Sequence, residues 1–338
     1  MSDAPAPGRG ARVAVAAILA ILAAALVSTR GPEYVSDFDQ LLAGGRALRA
    51  GGSPYAAVGP GRAFDWPWPL YYPLPAILFA LPFSYLPLVA ARATFFGISS
   101  ALFAFAITRE SWHRLPVFAS AAMMTAAGVV QWSPLVTAAA LLPWLGALLA
   151  AKPNLGAALW LSAPSRRASL GAALFLVVSL AVQPSWPAEW VVSLREAPHF
   201  RPPLLSWAGP PLLLALLRWR RPEARLLVAL ACVPQTGALY ETVPLFLVPA
   251  GWVGSGLLAL LTHAAQLAPP RLGPFATYDQ YNAVAAQVKV ALVFLPCLVM
   301  VLRRPNVGEV PAWLERLTTA TRALVAGRAL RSREVPRA

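Results

Sequence analysis

Residues 66–107 read WPWPLYYPLPAILFALPFSYLPLVAARATFFGISSALFAFAI. One side chain in this stretch, Arg92, is charged, and prolines fall at positions 67, 69, 73, 75, 82 and 87. A membrane span needs about 20 mostly apolar residues. Residues 88–107 supply one without a break, and residues 71–86 supply a second that proline interrupts. Proline removes a backbone donor and clashes with the preceding turn. In a membrane such breaks are tolerated where neighbours or a cavity re-satisfy the freed backbone groups. The stretch therefore predicts membrane helices, several of them broken.

The rest of the chain repeats this pattern. Of 338 residues 58% are hydrophobic and 12% charged, about half the charge of an ordinary soluble domain. Disorder and a single soluble core are both excluded. The 34 prolines are about twice the usual share. Beyond a first run at Val13–Val27, read as a signal-anchor helix, apolar segments lie near 71–86, 88–107, 115–130, 134–150, 153–163, 168–183, 203–217, 226–238, 242–252, 254–268 and 286–302. Some are too short to cross alone. The expectation is an all-α polytopic integral membrane protein over residues 1–302 with about 9–12 membrane segments.

A net charge of +14 suggests nucleic acid, but the basic residues sit in short loops and in the tail, as the positive-inside rule predicts. No nucleic-acid partner is expected. With the N-terminus in the cytoplasm and strict alternation, 17 of 28 Lys+Arg fall inside, among them Arg92 and the basic tail 303–338. Both termini are then cytoplasmic in a multi-pass plasma-membrane protein. This scheme sets Arg109 to Arg114 outside, its weak point. The loop 28–69 and the stretches 184–202 and 269–285 face outward. In the tail Trp313, Leu314, Leu317, Leu324 and Val325 recur near helical spacing between arginines, a pattern suited to a helix on anionic lipid or to a solvated tail. Cys232 and Cys297 read as buried inert thiols. No metal-ligand cluster or nucleotide-binding motif appears, so no metal and no cofactor are expected.

Scarce charge makes the exceptions visible. After the first helix, Phe38, Leu41, Leu42 and Leu48 recur at helical spacing, which predicts a juxtamembrane helix. Asp37 and Asp39 lie at its start, where carboxylates also serve as caps. Taken alone, Asp37 reads as such a cap. Asp39 either meets an acceptor or is solvated. Lys152, isolated in a long apolar run, is a functional candidate by default, with snorkelling as the alternative. His199 and Arg201 are further anion-binding candidates in the 184–202 stretch. Tyr240-Glu241 lies between Pro234 and Pro244, where Glu241 either meets sugar hydroxyls or pairs with Lys152. Trp66, Trp68, Tyr71 and Tyr72 form either an interfacial belt or a platform for a sugar face or lipid chain. The prolines of 71–75, 152–153 and 234–249 mark where an outward-facing cavity is expected.

Asp37-Phe38, then Gly51 to Tyr55 as G-x-x-x-Y, then Tyr71-Tyr72-Pro73 leading an apolar run with Leu-Pro breaks, resembles glycosyltransferase family 87. Gln131-Trp132-Ser133-Pro134-Leu135 is similar to that family's Gly-Gln segment, with Val130 in place of the glycine. Ala151-Lys152-Pro153-Asn154-Leu155-Gly156 is similar to its Lys-Pro segment, and Tyr240-Glu241 stands where the family often has Tyr-Asp. The resemblance implies a GT-C-class helical bundle similar to polyprenol-phosphate-mannose-dependent mannosyltransferases. It implies a polyprenyl-phosphate sugar as donor, a lipid or glycan as acceptor, and membrane lipids as surroundings. It puts Asp37 at the catalytic aspartate position and adds Tyr55 and Gln131 to the substrate-binding candidates. The competing readings are a transporter or lipid flippase, and a non-catalytic protein that binds lipid-linked sugar.

Overall fold

The computed structural model describes residues 6–196, 200–310 and 315–316. It is built almost wholly from helices: α1 (Arg9–Ser28), α2 (Asp37–Arg49), α3 (Pro54–Ala57), α4 (Leu74–Ala80), α5 (Leu88–Ile107), α6 (Ala121–Gly128), α7 (Ser133–Leu141), α8 (Pro153–Ser162), α9 (Arg166–Val182), α10 (Trp186–Arg195), α11 (Pro222–Cys232), α12 (Trp252–Leu267), α13 (Tyr278–Lys289) and α14 (Leu295–Leu302). Short 3-10 segments join them, the longest being Pro210–Arg218 and Leu239–Leu247. A two-residue parallel strand pair, β1 (Val58–Gly59) and β2 (Phe64–Asp65), is the only sheet among the described residues.

Antiparallel packing of α1 on α5 sets the two ends of the bundle. Gly97 lies against the backbone of Ala20 and the methyl of Ala24, so a side chain there would push the helices apart. The Arg12 guanidinium sits 4.1 Å over the Phe105 ring. At the opposite end α2 lies across the bundle, burying Phe38, Leu41 and Leu42. Phe38 stacks on Phe95 at 4.1 Å between ring centres. Among the described residues, α1, α5 and the continuous 25-residue run Tyr278–Leu302 are long and apolar enough to cross a membrane. The bent pairs α6 with α7 (116°) and α9 with α10 (99°) raise the number to five at most. Large apolar side chains on α1 and α9, such as Ile21, Leu22, Leu170 and Leu174, stay exposed on the outer surface, as expected of lipid-facing helices. These features are those of a multi-pass membrane protein.

The expected 9–12 segments do not become that many long spans, because proline divides the apolar runs. Residues 71–86 do not cross. Pro73 and Pro82 confine α4 to seven residues, a rise of about 10 Å against a hydrocarbon core of about 30 Å. α4 and the 3-10 turn after it fold back on α2, with Ile77 against Gly44 and Ser84 against Gly45. α5 therefore starts at the α2 end, where Arg92 pairs with Asp39 at 2.6 Å. This overturns the assignment of Arg92 to the end that holds the N-terminus. Arg109 to Arg114 move the other way: they follow α5 directly, and Arg12 donates to the carbonyl of Phe105. The weak point of the charge count is removed.

A second deviation restores the alternation. Val130, between α6 and α7, has φ 52°, the left-handed region that costs a β-branched residue about 1–3 kcal/mol. The chain reverses there, and α7 with the 3-10 segment Pro143–Ala150 forms a hairpin that returns to the end it left. Gln131 and Lys152, which strict alternation separates, meet at its base: Lys152 Nζ donates to Gln131 Oε1 at 2.9 Å. Gly156 is required at the return, since a Cβ there would lie 2.0 Å from the Leu149 carbonyl oxygen.

The end opposite the cavity gathers arginines. Arg225 donates to the Ser162 carbonyl, Arg218 to the carbonyl of Leu302, and Arg304 to the carbonyl of Val248 and to Glu223. His113, just past α5, contacts the Pro249 carbonyl there. Trp313, Leu314, Leu317, Leu324 and Val325 of the tail lie outside the described residues.

Candidate functional site

A cavity of about 680 Å³ opens at the α2 end. Its wall includes Pro73, Pro153 and Pro234, one from each of the proline-marked stretches. Each proline ends or starts a helix at cavity depth and so leaves side chains and backbone groups facing the space.

Asp37, Tyr71, Tyr72, Gln131, Lys152, Tyr240 and Glu241 all line this cavity. Asp37 is the first residue of α2, and its backbone N–H donates to the Val129 carbonyl at 3.1 Å. Arg30 donates to the Gly128 carbonyl at 2.8 Å. The two bonds tie the Val130 turn to α2 and bring Gln131 beside Asp37. Gln131 Nε2 donates to the Asp37 carboxylate, while Gln131 Oε1 accepts from Lys152 and, at 3.2 Å, from the Tyr72 hydroxyl. The orientation of the amide is dictated by its neighbours, since a carboxylate needs a donor and an ammonium an acceptor. Lys152 Nζ also sits 4.6 Å over the Tyr240 ring, a favourable cation–π arrangement in a desolvated setting. Burial pushes the Asp37 carboxyl up to about 6, with Lys152 and the Gln131 bond acting against that rise. The result is a carboxylate poised near neutrality, the condition a general base needs.

Glu241 does not pair with Lys152. It lies 3.3 Å from Lys289 Nζ, and Lys289 also donates to Gln235 Oε1 at 3.1 Å and to the Thr236 carbonyl. Lys289 sits behind the wall, at the start of the π-helical turn Val290–Phe294 within the α13–α14 run. Such turns are frequent at functional sites. Sequence reasoning missed Lys289 as a site residue, although a lone lysine within the 286–302 run carries the same signal as Lys152.

Three expected residues stand elsewhere. Asp39 neither faces the cavity nor is solvated. It points to the other side of α2, buried, where its carboxylate takes two bonds from Arg92 (2.8 and 2.6 Å) and one from the Ser36 N–H. Tyr55 is buried in the loop, donating to the Tyr72 carbonyl at 3.2 Å and accepting from Arg62 at its own carbonyl; it supports the wall from behind. Arg201 is exposed and outside the lining, while its neighbour Phe200 belongs to it. His199 lies outside the described residues.

The aromatic cluster joins the cavity. Trp66 and Trp68 line it with Tyr71 and Tyr72. Trp68 meets Tyr278 at 5.5 Å, and Trp190 of α10 donates to the Tyr71 carbonyl at 2.8 Å. The walls thus include residues of the 28–69 loop, the 184–202 stretch and the 269–285 stretch. Among the described residues no group of three or more His, Cys, Asp or Glu comes together in a way that would hold a metal ion. No protein-family model, no curated protein and no solved structure matches the chain.

Proposed function

We propose that the protein is an integral membrane glycosyltransferase of GT-C architecture that takes a hexose, with mannose the first candidate, from a polyprenyl-phosphate donor. The observation that carries this reading is the chain Asp37–Gln131–Lys152 along one aromatic-walled cavity: a base and a cation held apart by a neutral amide. In the proposed reaction Asp37 takes the proton of an acceptor hydroxyl. The hydroxyl oxygen bonds to the anomeric carbon from the face opposite the phosphate. The bond from that carbon to the phosphate oxygen breaks, and its electron pair leaves on the carrier phosphate beside Lys152. Direct displacement inverts the anomeric centre. A fixed ammonium in a water-poor site stabilises the developing phosphate charge without reorganisation. The resemblance of these motifs to glycosyltransferase family 87 suggests the donor type. The arginine-rich end supports an orientation with both termini in the cytoplasm and the cavity outward in the plasma membrane.

Asp37→Asn tests the base. Reconstituted in liposomes, it should lose about 10²–10⁴-fold in transfer rate and keep its unfolding temperature; wild-type turnover would remove Asp37 from the mechanism. In the wild type, transfer should reach its plateau well above pH 6 and be half lost as the pH falls to about 6, because only the ionised carboxyl accepts a proton. A transporter or flippase is the second reading, favoured by one observation, the buried Lys289–Glu241 pair, since buried ion pairs are common along transport paths. Product with a new glycosidic bond separates the two.

A further inference from the structure

A second cavity, of about 470 Å³, opens at the arginine-rich end of the bundle, where α14 ends and α12 begins. Residues 249–254, Met300, Arg303 and Arg304 line it. The reaction just described makes no use of it. Its two arginines differ. Arg304 lies 3.2 Å from Glu223, which Arg221 shares at 3.6 Å, and donates to the Val248 carbonyl. Arg303 is exposed and has no ion pair or side-chain hydrogen bond among the described residues. A guanidinium offers five donors and stays charged, so Arg303 brings an unpaired cation to the cavity wall.

The rest of the surroundings is apolar and open. Val253, Leu257 and Leu260 of α12 are all exposed, and their i, i+4, i+7 spacing sets them in one outward stripe. Val253 also lines the cavity, so the stripe starts there and runs about 10 Å along the helix. Trp252, exposed at the cavity edge, is a residue type enriched at headgroup depth. A free anion would meet Arg303 and leave the stripe bare. A neutral lipid would cover the stripe and leave Arg303 unpaired, and a zwitterionic lipid carries its own cation beside the phosphate. An anionic phospholipid satisfies both parts. We infer that this cavity binds the phosphate of an anionic phospholipid on Arg303 and Arg304, with an acyl chain laid along Val253, Leu257 and Leu260. The inference stands apart from the transferase reading.

The test uses the purified full-length protein in detergent. Dioleoylphosphatidylglycerol is the probe, dioleoylphosphatidylcholine the zwitterionic control, and glycerol 3-phosphate the free-anion competitor. Native mass spectrometry reads the affinity for the first bound lipid. Phosphatidylglycerol should bind about tenfold more tightly than phosphatidylcholine, and glycerol 3-phosphate at equal concentration should not displace it. Arg303→Ala should weaken phosphatidylglycerol binding about fivefold and keep its unfolding temperature, since no protein contact is lost. Gly251 lines the cavity in an extended conformation, and a Cβ there would meet no atom within 4 Å. Gly251→Leu therefore fills the space with every charge kept, and should also weaken binding. Arg167→Ala removes an exposed arginine outside the lining and should leave binding unchanged. Equal affinity of the wild type for the two lipids, or displacement by glycerol 3-phosphate, would overturn the site. So would a loss in Arg303→Ala no larger than in Arg167→Ala, or full binding by folded Gly251→Leu.

Discussion

Lys152 and Lys289 are the two lysines of the chain, both buried within a few residues of the same cavity, and their surroundings differ in one respect. Lys289 is 1% exposed, lies behind the wall, and meets a carboxylate, an amide oxygen and a carbonyl. Lys152 lines the cavity, meets a neutral amide oxygen and an aromatic face, and has no ion pair within 4 Å among the described residues. The first lysine is neutralised where it stands. The second has no carboxylate within 4 Å among the described residues, and it faces the space that an anion would enter. A buried pair whose partners satisfy one another builds structure, whereas a buried charge without a counter-ion is costly and is explained by a ligand that brings one.

This contrast can be broken by substitution. Lys289→Met leaves the Glu241 carboxylate buried without its cation, and the expected loss is about 3–5 kcal/mol of stability, read as a large fall in unfolding temperature in detergent. Adding Glu241→Gln to Lys289→Met should recover most of it. Lys152→Met should have the opposite profile: a loss of about 10²–10³-fold in transfer rate, as when one preorganised electrostatic contact to a transition state is removed, with the unfolding temperature held or raised. If Lys152→Met unfolds the protein and Lys289→Met only slows it, the roles are exchanged.

Gln131 links the base to the cation and offers a smaller, sharper test. Its bond to Asp37 favours the charged carboxyl and so works against the effect of burial. Gln131→Leu removes that bond. The pH at which transfer is half lost should therefore move upward from about 6, while the plateau rate above it changes less than in Lys152→Met. A midpoint that stays in place or moves downward would mean that Gln131 does not hold the Asp37 carboxyl.

The same contrast shows what a linear sequence exposes. Asp37 and Lys152 stand out because charge is scarce, and their apolar surroundings already imply an unusual role. Lys289 has the same local pattern, but its partners Gln235 and Glu241 are 54 and 48 residues away. Nothing near it in sequence announces the pairing. Asp39 shows the reverse error: in sequence it reads as meeting an acceptor or solvated, yet the turn of α2 aims it at Arg92, 53 residues on. The helical class and the juxtamembrane helix followed from apolar spacing. The number of crossings did not, because hydrophobicity records that a segment avoids water and not whether it runs through the bundle or turns back. The proline at 73 and the left-handed valine at 130 decide that at two places, and only the second bend brings Gln131 to Asp37. Val130 occupies a left-handed backbone conformation suited to glycine.

The central claim is that the cavity makes a glycosidic bond. The most direct measurement offers the purified full-length protein, reconstituted in liposomes, a labelled polyprenyl-phosphate mannose together with a glycoside acceptor. The proposed function predicts an inverted, elongated glycoside and free polyprenyl phosphate in equal amounts, at a rate that collapses in Asp37→Asn. Labelled lipid that crosses the bilayer or stays bound, with no new glycosidic bond from any lipid-phosphate sugar, would contradict it.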